Sequence, residues 1–189
     1  FNAAENISSE KTKKDSLEFS LMKSRLEVYY ETIPSNSIRI FKARVENNPS
    51  DSNFYGLALA HSNNNNYTES IKLLDKLIAK YPKNLVLNNT KVDVLNAASR
   101  YDDALKLVNK FLEISPRNYP LSISKSKILL QIDKKFEAEE IIRDQLIRKN
   151  RDPELWLLLS EIQRAGQNIV GYHQSRAEYF LLLGQNEKA

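Results

Sequence analysis

The phrases AKYPKN (Ala79–Asn84) and EISPRN (Glu113–Asn118) decide the fold, because the second repeats the first at a fixed distance along the chain. The positions of their prolines, Pro82 and Pro116, differ by 34, and those of Pro49 and Pro82 differ by 33. The same spacing of 34 separates Tyr67 from Tyr101, and it separates the small residues Ser70, Ala104 and Ala138. Agreement of several residue types on one period of roughly 20–50 residues is typical of a repeat protein.

The unit from Asp51 to Asn84 predicts two helices joined by a turn. Asp51 or Ser52 can cap the first helix, and Asn63–Asn66 interrupts the pattern because asparagine tolerates turn conformations. Pro82 ends the unit, since proline has no backbone N–H to continue a helix. Each helix is about 13 residues, or roughly 20 Å, long, and it buries its apolar face only if neighbours stack on it. Steps of three and four residues mark the packing faces: Phe54, Leu57, Ala58 and His61, then Tyr67, Ser70, Ile71, Leu74, Leu77 and Ile78.

The 34-residue period divides the chain after its first residues into repeat units. The predicted fold class is all-α, a right-handed superhelical stack of antiparallel helix pairs. The pattern places Phe136 and Trp156 on packing faces, and it predicts a last helix from about Gly171 to Leu183 that Gly184 stops. The predicted organisation is a polar flexible tail over 1–14 and a single array over 15–189, with units at about 15–50, 51–84, 85–118, 119–152 and 153–189.

Composition argues for an ordinary helical protein that binds no nucleic acid. The net charge is +4, from 28 basic and 24 acidic residues that alternate along the chain, whereas phosphate binding favours a clustered basic stripe. Cysteine is absent, which excludes disulfides and thiolate metal sites. No run approaches the roughly 20 apolar residues of a membrane helix. The first residue is Phe1, so we expect a processed or recombinant fragment, from which a targeting signal could have been lost.

The residue types of a catalytic site are missing from the sequence. A zinc peptidase needs two histidines one helical turn apart and a glutamate base, but the two histidines, His61 and His173, are far apart. We expect His61 to be a packing residue and His173 to lie on a surface or to pack. The run Glu137–Glu140 is interpreted as the first turn of a helix, where acids favour the dipole. The chain therefore predicts no enzyme activity, no metal and no cofactor of its own.

The 34-residue period, the small residue at position twenty (Ser70, Ala104, Ala138) and the proline at position thirty-two (Pro82, Pro116) resemble the tetratricopeptide (TPR) family. The resemblance covers roughly residues 16–189. It implies a TPR solenoid that binds other proteins. The family's tryptophan at position four is present only as Trp156. The sequence therefore marks the boundaries of individual repeats less sharply than the family pattern does.

Three segments also resemble one narrower family: Leu17–Tyr30, Phe54–Asn84 and Glu154–Ala189, the last containing RAEYF (Arg176–Phe180). They are similar to the C-terminal TPR region of bacterial periplasmic zinc metallopeptidases of the β-barrel assembly-enhancing (BepA, or YfgC) family. That resemblance implies a periplasmic location and an HExxH protease domain, with its zinc, outside this chain. The implied partners are that protease domain, the outer-membrane β-barrel assembly machinery and unfolded outer-membrane proteins.

Alternatives remain open at this point. One is a general TPR scaffold or co-chaperone unrelated to a protease, although the lysine- and arginine-rich clamp for a C-terminal carboxylate is missing. Another is an RNA-binding helical repeat, which the lack of a repeated base-reading pattern disfavours. We also expect self-association through the truncated end of the array, because a solenoid normally needs a capping helix.

Binding is predicted on the first helix of each pair, whose positions two, five, nine and twelve point into a concave groove. This surface mixes amide, acidic, basic and apolar groups, so it favours an extended segment or a folded domain over a free C-terminus. The candidate groove residues are Tyr55, Leu59, Ser62, Asn89, Asp93, Asn96, Ile123, Lys127, Glu161 and Arg164.

Overall fold

A computed structural model describes residues 16–188, and within that range the chain forms ten α-helices and one 3₁₀ helix but no strand. The all-α prediction is confirmed. The predicted tail over 1–14 lies outside the described residues, and the boundaries of the five units stay a prediction. The helices are α1 (Leu17–Tyr30), α2 (Pro34–Asn47), α3 (Asp51–Asn63), α4 (Tyr67–Lys80), α5 (Leu85–Ala97), α6 (Tyr101–Ile114), α7 (Tyr119–Gln131), α8 (Lys135–Leu146), α9 (Pro153–Ala165) and α10 (Ile169–Leu182), followed by the 3₁₀ helix Asn186–Lys188.

The period is most regular in the residues that begin the odd-numbered helices. In each one, a side-chain oxygen of the N-cap residue accepts a hydrogen bond from a backbone N–H of the first turn. Such caps satisfy donors that the helix itself leaves unpaired. The sequence predicted Asp51 or Ser52 as the cap of α3, but the cap is the preceding residue, Ser50. The five caps are Ser16, Ser50, Asn84, Asn118 and Asp152, each one full period after the last.

The turns inside four helix pairs have the same backbone. One residue in each adopts a left-handed conformation, with φ between 57° and 65°. None of these residues is glycine, although such φ values favour glycine and, to a lesser degree, asparagine and aspartate. The four are Asn65, Ser99, Asp133 and Gln167, which again follow one another at the repeat period.

The first of two compact units is Phe1–Asn64, in which α1 and α2 both pack on α3. Its core contains Leu21, Phe41 and Tyr55, each no more than 2% exposed. Gly56 gives the ring of Phe41 its space, because a Cβ at this glycine would lie 2.1 Å from Phe41 Cε1. No side chain larger than hydrogen therefore fits at Gly56 without moving the ring.

The second unit, Asn65–Ala189, packs its helices in sequence order from α4 to α10, and α5 also contacts α7. The small residues Ser70, Ala104 and Ala138 are all fully buried, as the repeat pattern predicts for a close helix crossing. Its core includes an apolar cluster around Val108 and Ile128 and another around Ile142 and Leu159.

One packing prediction in this unit is wrong, and another is confirmed. Phe136 does not face inward but is 75% exposed, because Ala138 and Ile142 occupy the buried side of α8. Trp156 lies on a packing face, as predicted: it is partly buried against the core cluster, and its Nε1 donates to the carbonyl oxygen of Asn150 at 2.7 Å. The indole therefore bridges the core and the loop before α9.

The last helix is rotated relative to its predecessors. By the 34-residue spacing, Tyr172 corresponds to the buried Ala138, but α10 buries Gly171 and Ser175 instead. The prediction that Gly184 stops this helix is confirmed by its φ of +70°, just after the helix ends. Ile169, Val170 and Leu181 are each at least half exposed, and self-association at this end stays a prediction.

Candidate functional site

Seven of the ten predicted groove residues fall into two rows in the repeat register of the sequence. The first row is Tyr55, Asn89 and Ile123, and the second is Leu59, Asp93, Lys127 and Glu161, at a spacing of 34. In the second compact unit the rows lie on α5, α7 and α9.

Asn89 and Asp93 on α5 meet a serine of α7. Ser124 is buried, and its Oγ donates to Asp93 Oδ1 at 2.6 Å and lies 3.2 Å from Asn89 Oδ1. Asn89 Nδ2 lies 3.4 Å from Asp93 Oδ2. Hydrogen bonds to an ionised carboxylate are stronger than neutral ones, so this contact fixes α5 against α7 and orients both predicted side chains.

A cleft of about 260 Å³ lies between α7 and α9. Its apolar lining is Ile123, Leu157 and Leu158, and its charged lining includes Lys127 and Glu161. Both of these charged side chains are exposed. The cleft thus brings together three of the predicted groove residues around an apolar patch with one base and, counting Glu154, two acids at its edge.

Sequence reasoning missed four members of this site, namely Leu157, Leu158, Glu154 and Ser124. Leu157 lies one full period after Ile123, so the repeat spacing alone identifies it. Glu154 was interpreted only as an acid that favours a helix N-terminus, a position it does occupy on α9. Ser124 gave no signal, because a serine inside an amphipathic helix is equally compatible with solvent and with a buried hydrogen bond.

In the first unit, Tyr55 is not a groove residue, because its side chain is fully buried. Arg25 donates to the Tyr55 hydroxyl oxygen from Nε at 3.0 Å and from Nη2 at 2.6 Å. The phenol therefore packs and holds an arginine of α1 rather than meeting a partner. Leu59 is half-buried and lines a separate cleft of about 360 Å³ with residues of α1 that include Leu26 and Tyr29.

The remaining predicted residues differ in exposure. Ser62 and Asn96 are half-buried, and Arg164 is exposed near the end of α9. The Oδ1 atom of Asn96 is buried and accepts no hydrogen bond from the described residues. An acceptor left in this state costs free energy.

The described residues offer no metal site. Over 16–188, no group of three or more His, Cys, Asp or Glu side chains comes together to hold an ion. His61 is half-buried, in agreement with its prediction as a packing residue, and His173 is exposed, its ring edge-on to Tyr172 at 4.9 Å between centroids. Across that same range, no helix has the length and apolar character needed to cross a membrane.

The start of α9 is held by a half-buried phenol. The Tyr119 hydroxyl donates to Asp152 Oδ2 at 2.6 Å, while Asp152 Oδ1 accepts from the Glu154 backbone N–H at 3.0 Å. Burial and the neighbouring carboxylate raise the pKa of Tyr119 well above its ordinary value. Tyr119 therefore remains a hydrogen-bond donor at physiological pH and ties α7 to the cap of α9.

Comparison with solved structures shows the fold. The chain matches TTC0263, a thermophilic TPR protein of Thermus thermophilus, with a TM-score of 0.74 and 15% identity over 90% of this chain and 93% of that chain. It matches PilF of Pseudomonas aeruginosa with a TM-score of 0.64 and 16% identity over 89% and 75% of the two chains. It matches MamA of Desulfovibrio magneticus with a TM-score of 0.60 and 12% identity over 89% and 96%.

The fold is a TPR solenoid. The TPR part of the resemblance is therefore confirmed at the level of fold. No family model matches the chain, and no curated protein matches it in sequence. Function is not transferred at these identities.

Proposed function

We propose that this chain is a non-catalytic scaffold that binds an extended protein segment along α5, α7 and α9. The observation that supports this is the cleft of about 260 Å³ between α7 and α9, which combines an apolar floor with charged edges. Partner side chains of aliphatic type gain free energy by leaving water for such a floor. The charged edges select and orient the segment more than they add affinity.

The surface chemistry favours an internal segment over a free C-terminus. Lys127 is flanked in the cleft by Glu154 and Glu161, so a terminal carboxylate would meet more repulsion than attraction. The hydrogen-bonded pair Asn89 and Asp93 offers amide and carboxylate groups to the backbone of a passing strand. An unfolded or extended polypeptide supplies both the aliphatic side chains and the free backbone groups.

The finer proposal is that the scaffold serves a periplasmic zinc metallopeptidase involved in outer-membrane β-barrel protein assembly and quality control. It is supported by the similarity of Leu17–Tyr30, Phe54–Asn84 and Glu154–Ala189 to the TPR region of that family. On this proposal the chain works in the periplasm, and its partners are the protease domain, the assembly machinery and unfolded outer-membrane proteins. On this proposal the protease domain binds the zinc and carries out the hydrolysis, and the residues described above take part in no catalytic step.

Site-specific photocrosslinking tests the groove. A photoreactive p-benzoylphenylalanine replaces Leu157 in the cleft or, as the control, Ile114, which is 76% exposed at the end of α6. Each variant is irradiated with a urea-unfolded outer-membrane β-barrel protein diluted into buffer. We expect crosslinks from position 157 and few from position 114. Equal crosslinking at both positions would remove the cleft from the proposal.

A separate measurement tests the finer proposal. The chain is immobilised and exposed to detergent-solubilised outer membranes that contain the β-barrel assembly machinery, with the variant Leu157→Asp as control. Retention of the machinery by the original chain alone supports the assembly role. Binding of unfolded protein without retention of the machinery would leave a general scaffold.

A further inference from the structure

A second cleft in the second unit, of about 400 Å³, lies between the even-numbered helices α4 and α6, with α5 beneath them. Its floor is formed by three aliphatic side chains, Ile71, Leu95 and Leu107. It shares no lining residue with the cleft between α7 and α9. It is therefore a second surface, here called the outer cleft, whose use does not depend on the proposed groove.

Four cations and two carboxylates line this outer cleft. Lys91 Nζ lies 2.5 Å from Asp75 Oδ1, and Arg100 Nη2 lies 2.6 Å from Asp103 Oδ2. Those two pairs neutralise both acids. The excess positive charge is that of Lys106 and Lys110, both exposed, and neither forms an ion pair with a described residue. As residues four apart on one helix, they lie on one face with about 6 Å between their positions along the axis.

The neighbouring repeat has a similar cleft with the opposite charge. A cleft of about 340 Å³ beside α8 is lined by Lys125, Ile141, Glu140 and Asp144. By the 34-residue spacing, Glu140 corresponds to Lys106, Asp144 to Lys110, and Ile141 to Leu107. The aliphatic residue between the two charged positions is thus kept while the two charges are reversed. The basic character of the outer cleft is therefore not a general property of the even-numbered helices.

We propose that the outer cleft between α4 and α6 binds an acidic peptide segment of a partner protein. Two carboxylates about 6 Å apart match Lys106 and Lys110, a separation that extended chains reach at every second residue and helices at every fourth. An aliphatic side chain next to them covers the floor formed by Ile71, Leu95 and Leu107. Complementary charge of this kind speeds association and excludes basic partners.

Nucleic acid fits the same cleft less well. No aromatic residue lines the cleft to stack on a base, although stacking supplies much of the affinity for single strands. The aliphatic floor favours a peptide, and an oligonucleotide serves as the competing probe in the test.

Fluorescence anisotropy with the full chain tests the proposal. The probe is a fluorescein-labelled 12-residue peptide of glutamate and leucine, and a peptide with lysine in place of glutamate controls for charge. We expect Lys106→Glu/Lys110→Glu to weaken binding by at least about tenfold, since two attractions become repulsions. The matched variant Glu140→Lys/Asp144→Lys, one repeat later, should leave affinity for the probe unchanged or slightly higher. Raising salt from about 0.05 to 0.5 M should weaken binding to the original chain.

Several results would overturn the proposal. Equal affinity of the two charge-reversal variants would show that Lys106 and Lys110 do not form the site. Tighter binding of a 12-nucleotide single-stranded DNA than of the acidic peptide, lost in the same variant, would assign the cleft to nucleic acid. Loss of a dimer in sedimentation, without any peptide binding, would assign it to a second copy. All four substituted side chains are exposed or half-buried, and circular dichroism confirms that each variant folds.

Discussion

Ser175 Oγ of α10 donates a hydrogen bond of 2.7 Å to Gln163 Oε1 of α9, and both residues are no more than 2% exposed. Gln163 in turn donates from Nε2 to Glu139 Oε1 of α8 at 3.1 Å. Glu139 also accepts from Arg143 Nε at 2.9 Å. A polar chain of hydrogen bonds therefore crosses three successive helices beside the apolar core.

We expect Ser175→Ala to destabilise the second unit by about 1–3 kcal/mol, because it leaves a buried acceptor on Gln163 without a partner. Equilibrium unfolding in urea measures the change. The double variant Ser175→Ala/Gln163→Leu removes both polar partners and should recover part of the loss. If the single variant unfolds at the same urea concentration as the original chain, the hydrogen bond does not contribute as the structure indicates.

The repeat spacing in the sequence was sufficient to predict the fold class, the helix pairs and the buried small residues. That success has a physical basis in Ser70, Ala104 and Ala138, because a close crossing tolerates only small side chains. The N-cap residues from Ser16 to Asp152 follow the same spacing of 34 residues. The predicted cap of α3 nevertheless lay after the actual one along the chain.

The candidate site was less predictable, since spacing fixes a position along a helix but not what covers it. Tyr55 and Asn89 occupy the same repeat position, but Arg25 and the core bury the tyrosine while the asparagine stays partly exposed. Phe136 was placed wrongly for a related reason. A rotation of one residue, about 100° on a helix, moves a side chain from the core to the surface, as α10 shows by burying Gly171.

We expect Gly56→Ala to destabilise the first unit by about 1–3 kcal/mol, the usual cost of overpacking. The added methyl group would lie 2.1 Å from Phe41 Cε1, and the ring is only 2% exposed. Thermal unfolding followed by circular dichroism measures the effect. Gly166→Ala is the matched control, because its added Cβ would meet no atom closer than 3.4 Å. Equal melting temperatures for the two variants would contradict the close contact.

Gln167→Gly is expected to stabilise the second unit by about 0.5 kcal/mol, because a left-handed backbone costs an L-residue more than it costs glycine. Gln167 has a φ of 59°. Part of the stabilisation is offset because glycine gives the unfolded chain more conformational freedom. Urea unfolding measures the change. Asn65→Gly serves as control and should give no gain, because asparagine tolerates this conformation and Asn65 Oδ1 accepts from the Tyr67 hydroxyl at 2.7 Å. A loss of stability in Gln167→Gly would show that its side chain matters more than its backbone.

The Arg100 guanidinium lowers the pKa of the Asp103 carboxyl below its ordinary value of 3.8, first through hydrogen bonds and then through charge attraction. We expect Arg100→Gln to raise this pKa toward 3.8, and Lys106→Gln to raise it less, because Lys106 acts only by weaker charge attraction. Carbon-13 NMR of the carboxyl carbon against pH measures both shifts.

The pKa of Asp103 is lower in the folded chain than in the unfolded chain, where it is about 3.9. The interaction with Arg100 therefore stabilises the fold fully at pH values above the unfolded pKa, and this contribution is lost as the pH falls through the lower pKa of the folded chain. The difference in stability between the original chain and Arg100→Gln should therefore be constant above about pH 5 and shrink toward pH 2. The difference should be small throughout, since both side chains are about half exposed. A difference that grows on acidification would mean that Arg100 stabilises the fold through some contact other than Asp103.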